Sequence, residues 1–555
     1  MQAAHRVIAN TGILYVRMMI TVFMSLYSTR LILSALGVED FGLFNLVGGI
    51  IAMLNFLNGS MASATQRFIS HAQGSDDINK VTRIFNMSVI LHLCTAIFVF
   101  MMLEIVGYFL FNGFLNIAEN RENIANILYQ FMVASTLFTV IAVPYEAVIT
   151  SHENMIFYAG LGILEAVLKL AIALYISYGT FDFLVGIQVS VDCININHNN
   201  SLDFLSTSLE QSIQCVHFNY QTFDNLMVYG LLTALLSVLM LIVRAIYCHR
   251  KYPECAINFN RNYDNTLLKQ MTGFGGWSFL GTTSTMIANY GQSVVINIFF
   301  GTTVNAAQGI ASQISGQLGV LSNTLMKALN PMITKNEGAG NRKLMMTATM
   351  MGCKVSFFLM MALHIPFLIE TPFILKLWLN NVPDFAVIFC RLLLIRNLIE
   401  QLHLPLMSAI FAEGKIKGYQ IVVSILALFP LPISYFLFKN GYPADTLYVI
   451  FIFYSILFSC DLLYYAKKNC QMILTHFFKN IFLRCTISFM IVFLFSLTPI
   501  YFINEHGLIR LTAVIAASTI SYMIVVFFIG LSKDERIHIK KMTNLVIKKV
   551  FHETH

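Results

Sequence analysis

The sequence predicts an all-α polytopic membrane protein: about fourteen transmembrane helices, in two parallel, pseudo-symmetric lobes of six, with two further helices at the C-terminal end. Three observations lead there: the composition, a series of apolar stretches of bilayer length, and an internal repeat. Of 555 residues, 57% are hydrophobic and 11% charged, against about 25% charged in soluble domains. The net charge of +7 does not point to nucleic acid, because the basic residues sit between apolar runs rather than in one patch. Ten cysteines in a chain of this length do not make a disulfide scaffold.

A bilayer core about 30 Å thick needs roughly 20 apolar residues per helix. Stretches of that order lie near 10–36, 41–70, 83–111, 124–150, 156–179, 226–247 and 273–300. Others lie near 304–333, 345–375, 386–412, 418–438, 446–466, 480–503 and 507–531. Helices rather than strands follow from this length, since lipid cannot satisfy backbone hydrogen bonds. Pro144, Pro331, Pro366, Pro405 and Pro430 lie inside these stretches and are expected to kink or break some of them. No cleavable signal is expected, because Arg17 and Arg30 interrupt the first run.

Orientation follows from Lys and Arg. With the N-terminus inside, 24 of the 35 fall in cytoplasmic connections and only four, Arg121, Lys376, Lys439 and Arg510, outside. Both termini are therefore expected in the cytoplasm. Gly74 suits the C-terminal cap of the second helix.

The repeat appears at an offset of 264: Gly37 falls on Gly301, Leu54 on Leu318, Ile69 on Ile333 and Gly74 on Gly338. Near the fourth and tenth helices the offset slips to 261, where "PYEAVITSHE" (144–153) meets "PLMSAIFAEG" (405–414). An even number of spans per half makes the repeat parallel, and substrate sites in such folds lie between the halves. The predicted organisation is an N-lobe over 1–247, a linker over 248–272, a C-lobe over 273–466, helices thirteen and fourteen over 467–532 and a basic tail over 533–555. The linker stretch "NYDNTLLKQM" reads as a helix lying on the cytoplasmic surface.

Segments 26–74 ("LYSTRLILSALGVEDFGLFNLVGGIIAMLNFLNGSMASATQRFISHAQG"), 291–341 and 246–255 ("IYCHRKYPEC") resemble the multidrug/oligosaccharidyl-lipid/polysaccharide exporter superfamily. They look most like its polysaccharide, or O-antigen, flippase branch. That resemblance implies two lobes around a central cavity in the bacterial inner membrane. It implies movement of undecaprenyl-pyrophosphate-linked oligosaccharide between leaflets by alternating access, alongside other polysaccharide-assembly membrane proteins. An ion-coupled multidrug exporter of the same superfamily is the alternative. A membrane polysaccharide polymerase would share the helix count, but the repeat argues against it.

An anionic pyrophosphate calls for cations inside the membrane, where charges are costly and default to function. Seven Lys or Arg fall within spans: Arg17, Arg30, Lys169, Lys327, Lys354, Arg391 and Arg396. Glu165 stands four before Lys169 and Glu400 four after Arg396, so these two neutralise themselves. Arg17, Arg30, Lys327, Arg391 and Lys354 remain as substrate-binding candidates, with Asn58 and Gln317 as polar partners for sugar hydroxyls. Interfacial snorkelling and cross-helix pairing are their structural alternatives. Glu104, Glu146, Glu370 and Asp461 read as partners of these cations or as proton carriers. Cys248, His249 and Cys255 lack a familiar metal-ligand spacing, so no metal or cofactor is expected. Glu39 and Asp40 lie in a loop too short to frame an active site, and Asp40 reads as a helix cap. No P-loop, G-x-S-x-G or H-E-x-x-H occurs in a usable context, so no enzyme is expected.

The polar insertion 180–225 carries five acids and no Lys or Arg, which places it outside. Cys193 and Cys215 are its two cysteines and form a disulfide candidate in an oxidising periplasm. A single cysteine placed in 180–225 should therefore react with a membrane-impermeant maleimide in intact spheroplasts. Reaction only after lysis would overturn the topology.

Overall fold

The computed structural model describes residues 2–53, 55–75, 77–111, 119–178, 185–190, 217–222, 224–379, 382–505, 507–533 and 535–537. It is nearly all helical. The first five helices are α1 (Gln2–Met53), α2 (Asn55–Gly74), α3 (Ile78–Phe109), α4 (Glu119–Ser151) and α5 (Met155–Tyr178). A short antiparallel hairpin follows, β1 (Val185–Ser190) with β2 (His217–Thr222), Val185 facing Thr222 and Ser190 facing His217. The sequence reads this insertion as a polar loop, so the hairpin is an addition. Cys193 and Cys215 lie outside the described residues. Next come α6 (Asn225–Lys251), α7 (Asn265–Gly338) and α8 (Arg342–Trp378). Four shorter helices, α9 (Ala386–Gln401), α10 (Leu404–Glu413), α11 (Lys417–Leu428) and α12 (Pro430–Lys439), precede α13 (Thr446–Cys470). The last pair is α14 (Leu483–Ser496) and α15 (Leu508–Val525).

Two glycines shape the lobes. α1 and α7 are each two helices joined at a residue with positive φ: Gly37 (φ 79°, ψ 173°) and Gly301 (φ 75°, ψ −170°). Only glycine takes this conformation without strain. The positions are partners at the offset of 264, so the repeat has a backbone signature. Prolines act unevenly. Pro405 and Pro430 open new helices, and Pro366 and Pro372 flank a non-helical residue, Glu370, in α8. α4 and α7 run through Pro144 and Pro331. The linker also differs from expectation. The stretch read as a separate surface helix instead starts α7, with Asp264 accepting the Leu267 amide at 3.0 Å as N-cap.

Among the described residues, ten helices are long and apolar enough to cross a membrane. The remaining stretches of the fourteen read from the sequence fall mainly in α2, both halves of α7 and the broken pair α9–α10. α2 and α7 carry Gly, Ser, Thr, Asn and Gln where the lobes meet, which lowers their hydropathy. The core divides accordingly. Leu14, Phe85, Val148, Leu161 and Leu236 pack in one cluster, and Met345, Phe357, Met361, Leu406 and Leu462 in another. Ala64 of α2 belongs to the second cluster and Ala328 of α7 to the first. These two are also partners at the offset of 264, so each half plants a small residue in the other.

α15 is fastened to α8 by a buried ion pair. Arg510 reaches both oxygens of Glu370, Nε at 2.7 Å and Nη2 at 3.0 Å, and the side chains are 5% and 0% exposed. The sequence places Arg510 in an outside connection; it is instead inside the bundle. At the opposite end, buried Lys354 donates to Glu535 at 2.7 Å. Burial works against the Glu535 charge, but the bonds from Lys354 and Ser532 outweigh it and hold its pKa below the ordinary value. Removing one partner of a buried pair strands the other charge, at a cost of roughly 3–5 kcal/mol, whereas two apolar replacements can be neutral. Arg510→Leu should therefore sharply lower the thermal unfolding midpoint in detergent, and Arg510→Leu with Glu370→Leu should recover most of it. Equal losses in the single and double variants would show that the pair is not the fastening.

Candidate functional site at the lobe interface

The two lobes meet where α1, α2 and α5 face the second half of α7. Arg17 on α1 lies across Gly162 of α5, where a Cβ would overlap the guanidinium. Its Cζ sits 4.5 Å from the centroid of the Tyr158 ring. From the other lobe, Lys327 donates to the Tyr158 hydroxyl at 3.1 Å, with its Nζ 5.6 Å from the same centroid. Two cations from two lobes thus converge on one aromatic ring, whose negative face attracts them. Among the described residues, neither makes an ion pair within 4 Å. Glu146 acts on Lys327, and Glu165 on Arg17, only through space. Glu165 is itself held by Lys169 at 2.8 Å and by Arg244 at 3.9 Å.

Next to this cluster α1 and α7 touch. Tyr15 donates to the Leu321 carbonyl at 3.1 Å, and Thr324 reaches Met18 Sδ at 3.9 Å. Beyond it they present polar groups. Gln317 is exposed, about two turns from Thr324 on the same face of α7. Arg30 is exposed, about four turns beyond Tyr15 and about 60° around α1 from it.

The other candidates have structural partners. Arg391 donates to the carbonyls of Leu368 (3.0 Å) and Ile369 (3.3 Å). Pro372 has no N–H to offer Leu368, so the guanidinium replaces a bond that α8 cannot make. Lys354 is turned away toward Glu535. The Asn58 side chain lies outside the described residues. Lys169 and Arg396 pair with Glu165 and Glu400, each at 2.8 Å. Asp40 meets Arg121 at 3.3 Å, and Arg121 also binds Asp224. Nothing in the sequence singles out Tyr158. Tyrosines are common here, and only its position between two cations marks it.

The lobes are shut at the end of the molecule that carries most of the Lys and Arg, the basic face. There α2 crosses α7 with almost no side chain between them. A Cβ on Gly74 would overlap the carbonyl of Lys335, and one on Gly338 would overlap the carbonyl of His71. Both pairs are related by the same offset of 264. Arg67 spans the lobes, donating to the carbonyls of Phe411 (2.9 Å), Ala412 (3.2 Å) and Glu413 (3.3 Å). These carbonyls end α10 and lack helical partners. Lys335 pairs with Glu153 at 3.3 Å, and farther along α2 from this end Ser60 donates to Thr282 at 3.3 Å.

This helical bundle has counterparts among solved structures. A point mutant of a MATE protein superposes with a TM-score of 0.67 at 14% identity, covering 84% of this chain and 96% of that one. The fold is that of the MATE transporters. A multidrug resistance MATE family transporter of the MOP superfamily, in an outward-facing conformation, superposes with a TM-score of 0.65 at 14% identity over the same shares of the chains. A MOP-superfamily transporter from Pyrococcus furiosus Vc1 gives a TM-score of 0.61 at 13% identity, again covering 84% and 96%. No family model and no curated protein matches the sequence. The MATE fold does not single out the polysaccharide branch that the sequence resembles.

If the bare glycine crossing sets how closely the lobes shut, bulk there should hold them apart. With spin labels at Asn79 and Lys343, Gly338→Leu should lengthen the inter-label distance by several ångströms. An unchanged distribution would show that the glycines do not limit the approach.

Proposed function

We propose that this chain is an alternating-access transporter whose substrate is an anionic, lipid-linked oligosaccharide. It carries this substrate from the inner to the outer leaflet of a bacterial inner membrane, with the basic face in the cytoplasm. The carrying observation is the convergence of Arg17 and Lys327 on Tyr158 with no carboxylate of the described residues in contact. Such cations persist in a membrane protein when a ligand completes them. Each contact to a phosphate oxygen near 4 Å is worth up to about 4 kcal/mol at an effective dielectric of about 20. Arginine adds a planar donor fork that matches phosphate.

The cations sit on opposite lobes, so a ligand bridging them meets different contacts when the lobes rock. A ligand shifts a conformational equilibrium only by such a difference. In the closed arrangement Tyr158 stands in for the anion. In the arrangement open to the basic face the two cations are free to receive the pyrophosphate. The reaction is binding and release, with no covalent chemistry.

The names of the fold neighbours favour a second reading, a multidrug exporter, because one of them is a multidrug resistance transporter. The Pyrococcus furiosus neighbour leaves room for the first. Its binding pocket is described as of reverse polarity, suggesting a different function, so the fold accommodates pockets of either sign.

The two readings separate in a deletion strain. The flippase reading expects lipid-linked intermediate on the inner leaflet and loss of surface polysaccharide, with drug susceptibility unchanged. Arg17→Ala and Lys327→Ala should each reduce export at least tenfold while the protein stays inserted, and Arg17→Lys should restore only part of it. Wild-type polysaccharide with raised sensitivity to cationic drugs would establish the exporter instead.

A further inference from the structure

Beside the cation cluster, α1 and α5 enclose a slot of about 300 Å³, at the small end for a ligand site. Its wall on α1 is a polar stripe, Arg17, Thr21, Ser25, Ser28 and Thr29, spaced to share one helix face. A stripe of this kind within a transmembrane helix is poorly suited to lipid contact.

The hydroxyls retain capacity. Thr21 donates to the Met18 carbonyl at 3.0 Å and Thr29 to the Ser25 carbonyl at 2.9 Å, so each oxygen keeps its acceptor lone pairs. Ser28 is 6% exposed, and its hydroxyl has no hydrogen-bond partner among the described residues. A buried polar group in that state is costly unless something else completes it. The facing wall supplies Glu165 and Lys169, an acceptor and a donor already fixed by their own pair. Tyr229 closes the far end, packed with Ile32.

We propose that this slot binds the sugar portion of the substrate, a hydroxyl-rich chain lying along α1 with its phosphate end at Arg17. This rests on the anionic-substrate reading and extends it. Side-chain hydroxyls, one carboxylate, one ammonium and an aromatic side chain are the groups that hold a pyranose ring. The hydroxyls exchange donors and acceptors, and the aromatic ring offers an apolar surface to the C–H groups. A compact, apolar cationic drug would leave these groups unpaired. The slot is also elongated, following about four turns of α1.

The test uses the full-length protein in detergent, with N-acetylglucosamine 1-phosphate, inorganic phosphate and ethidium as probes and ligand-induced thermal stabilisation as readout. The sugar phosphate should bind at least about fivefold more tightly than phosphate. Ser28→Ala removes a hydroxyl with no protein partner, so the unliganded Tm should not fall. Ser28→Ala and Thr21→Val should each cut the preference for the sugar phosphate to below about twofold, leaving phosphate binding unchanged. Arg17→Ala should weaken both anions. Equal affinities for the two anions in the wild type, or a preference that survives both hydroxyl substitutions, would overturn the sugar slot while leaving the anionic reading intact. Stabilisation by ethidium alone would overturn both.

Discussion

The crossing of α2 and α7 at Gly74 and Gly338 is the constraint on which the rest depends. Backbone meets backbone there, because a side chain at either position would overlap a carbonyl of the other helix. In a membrane, helices gain little by hiding apolar surface from one another, so close van der Waals packing at small residues sets where they meet. The contact brings Arg67 within reach of the last carbonyls of α10 and Lys335 within reach of Glu153. It also puts Ala64 and Ala328 into each other's cores. A contact repeated under the pseudo-symmetry thus shuts the lobes at the basic face.

The second organising principle is the sorting of membrane charges by partner. A desolvated charge must be paired, capped or left for a ligand. Arg510 and Lys354 are paired and fasten the C-terminal region to α8 at opposite ends. Arg391 repairs carbonyls that a proline exposes. Lys169 and Arg396 pair within one turn of their own helices. Arg17 and Lys327 belong to none of these groups. A ring quadrupole and a phenol oxygen attract them without neutralising them, which on the proposed reading keeps them available to an anion.

These two features act together. The crossing determines how far Lys327 lies from Arg17, because it sets the position of α7 against α1 and α5. On the proposed reading, Tyr158 is a filler for the closed arrangement, displaced when substrate enters. The slot beside it lies between α1 and α5, within one lobe, so on the proposed reading its hydroxyls keep their spacing whichever way the lobes rock. A phosphate end that changes partners and a sugar end that does not would make the N-lobe the carrier and the C-lobe the switch.

By itself the sequence determined the class of fold, because backbone chemistry in lipid admits only long helices here. It determined the repeat, down to Gly37 and Gly301, since only glycine tolerates the conformation that both adopt. The pairs Glu165–Lys169 and Glu400–Arg396 were legible too, because helical spacing fixes who is near whom within a turn. The partners of Arg510, Lys354 and Arg391 were not legible. The carboxylates that Arg510 and Lys354 meet and the carbonyls that Arg391 meets lie 22 or more residues away in the chain, and no local spacing encodes a contact between helices. For the same reason only the tertiary structure could decide that Gly74 and Gly338 meet backbone, that Tyr158 stands between two cations, and that a stripe of hydroxyls on α1 faces a slot rather than a neighbouring helix.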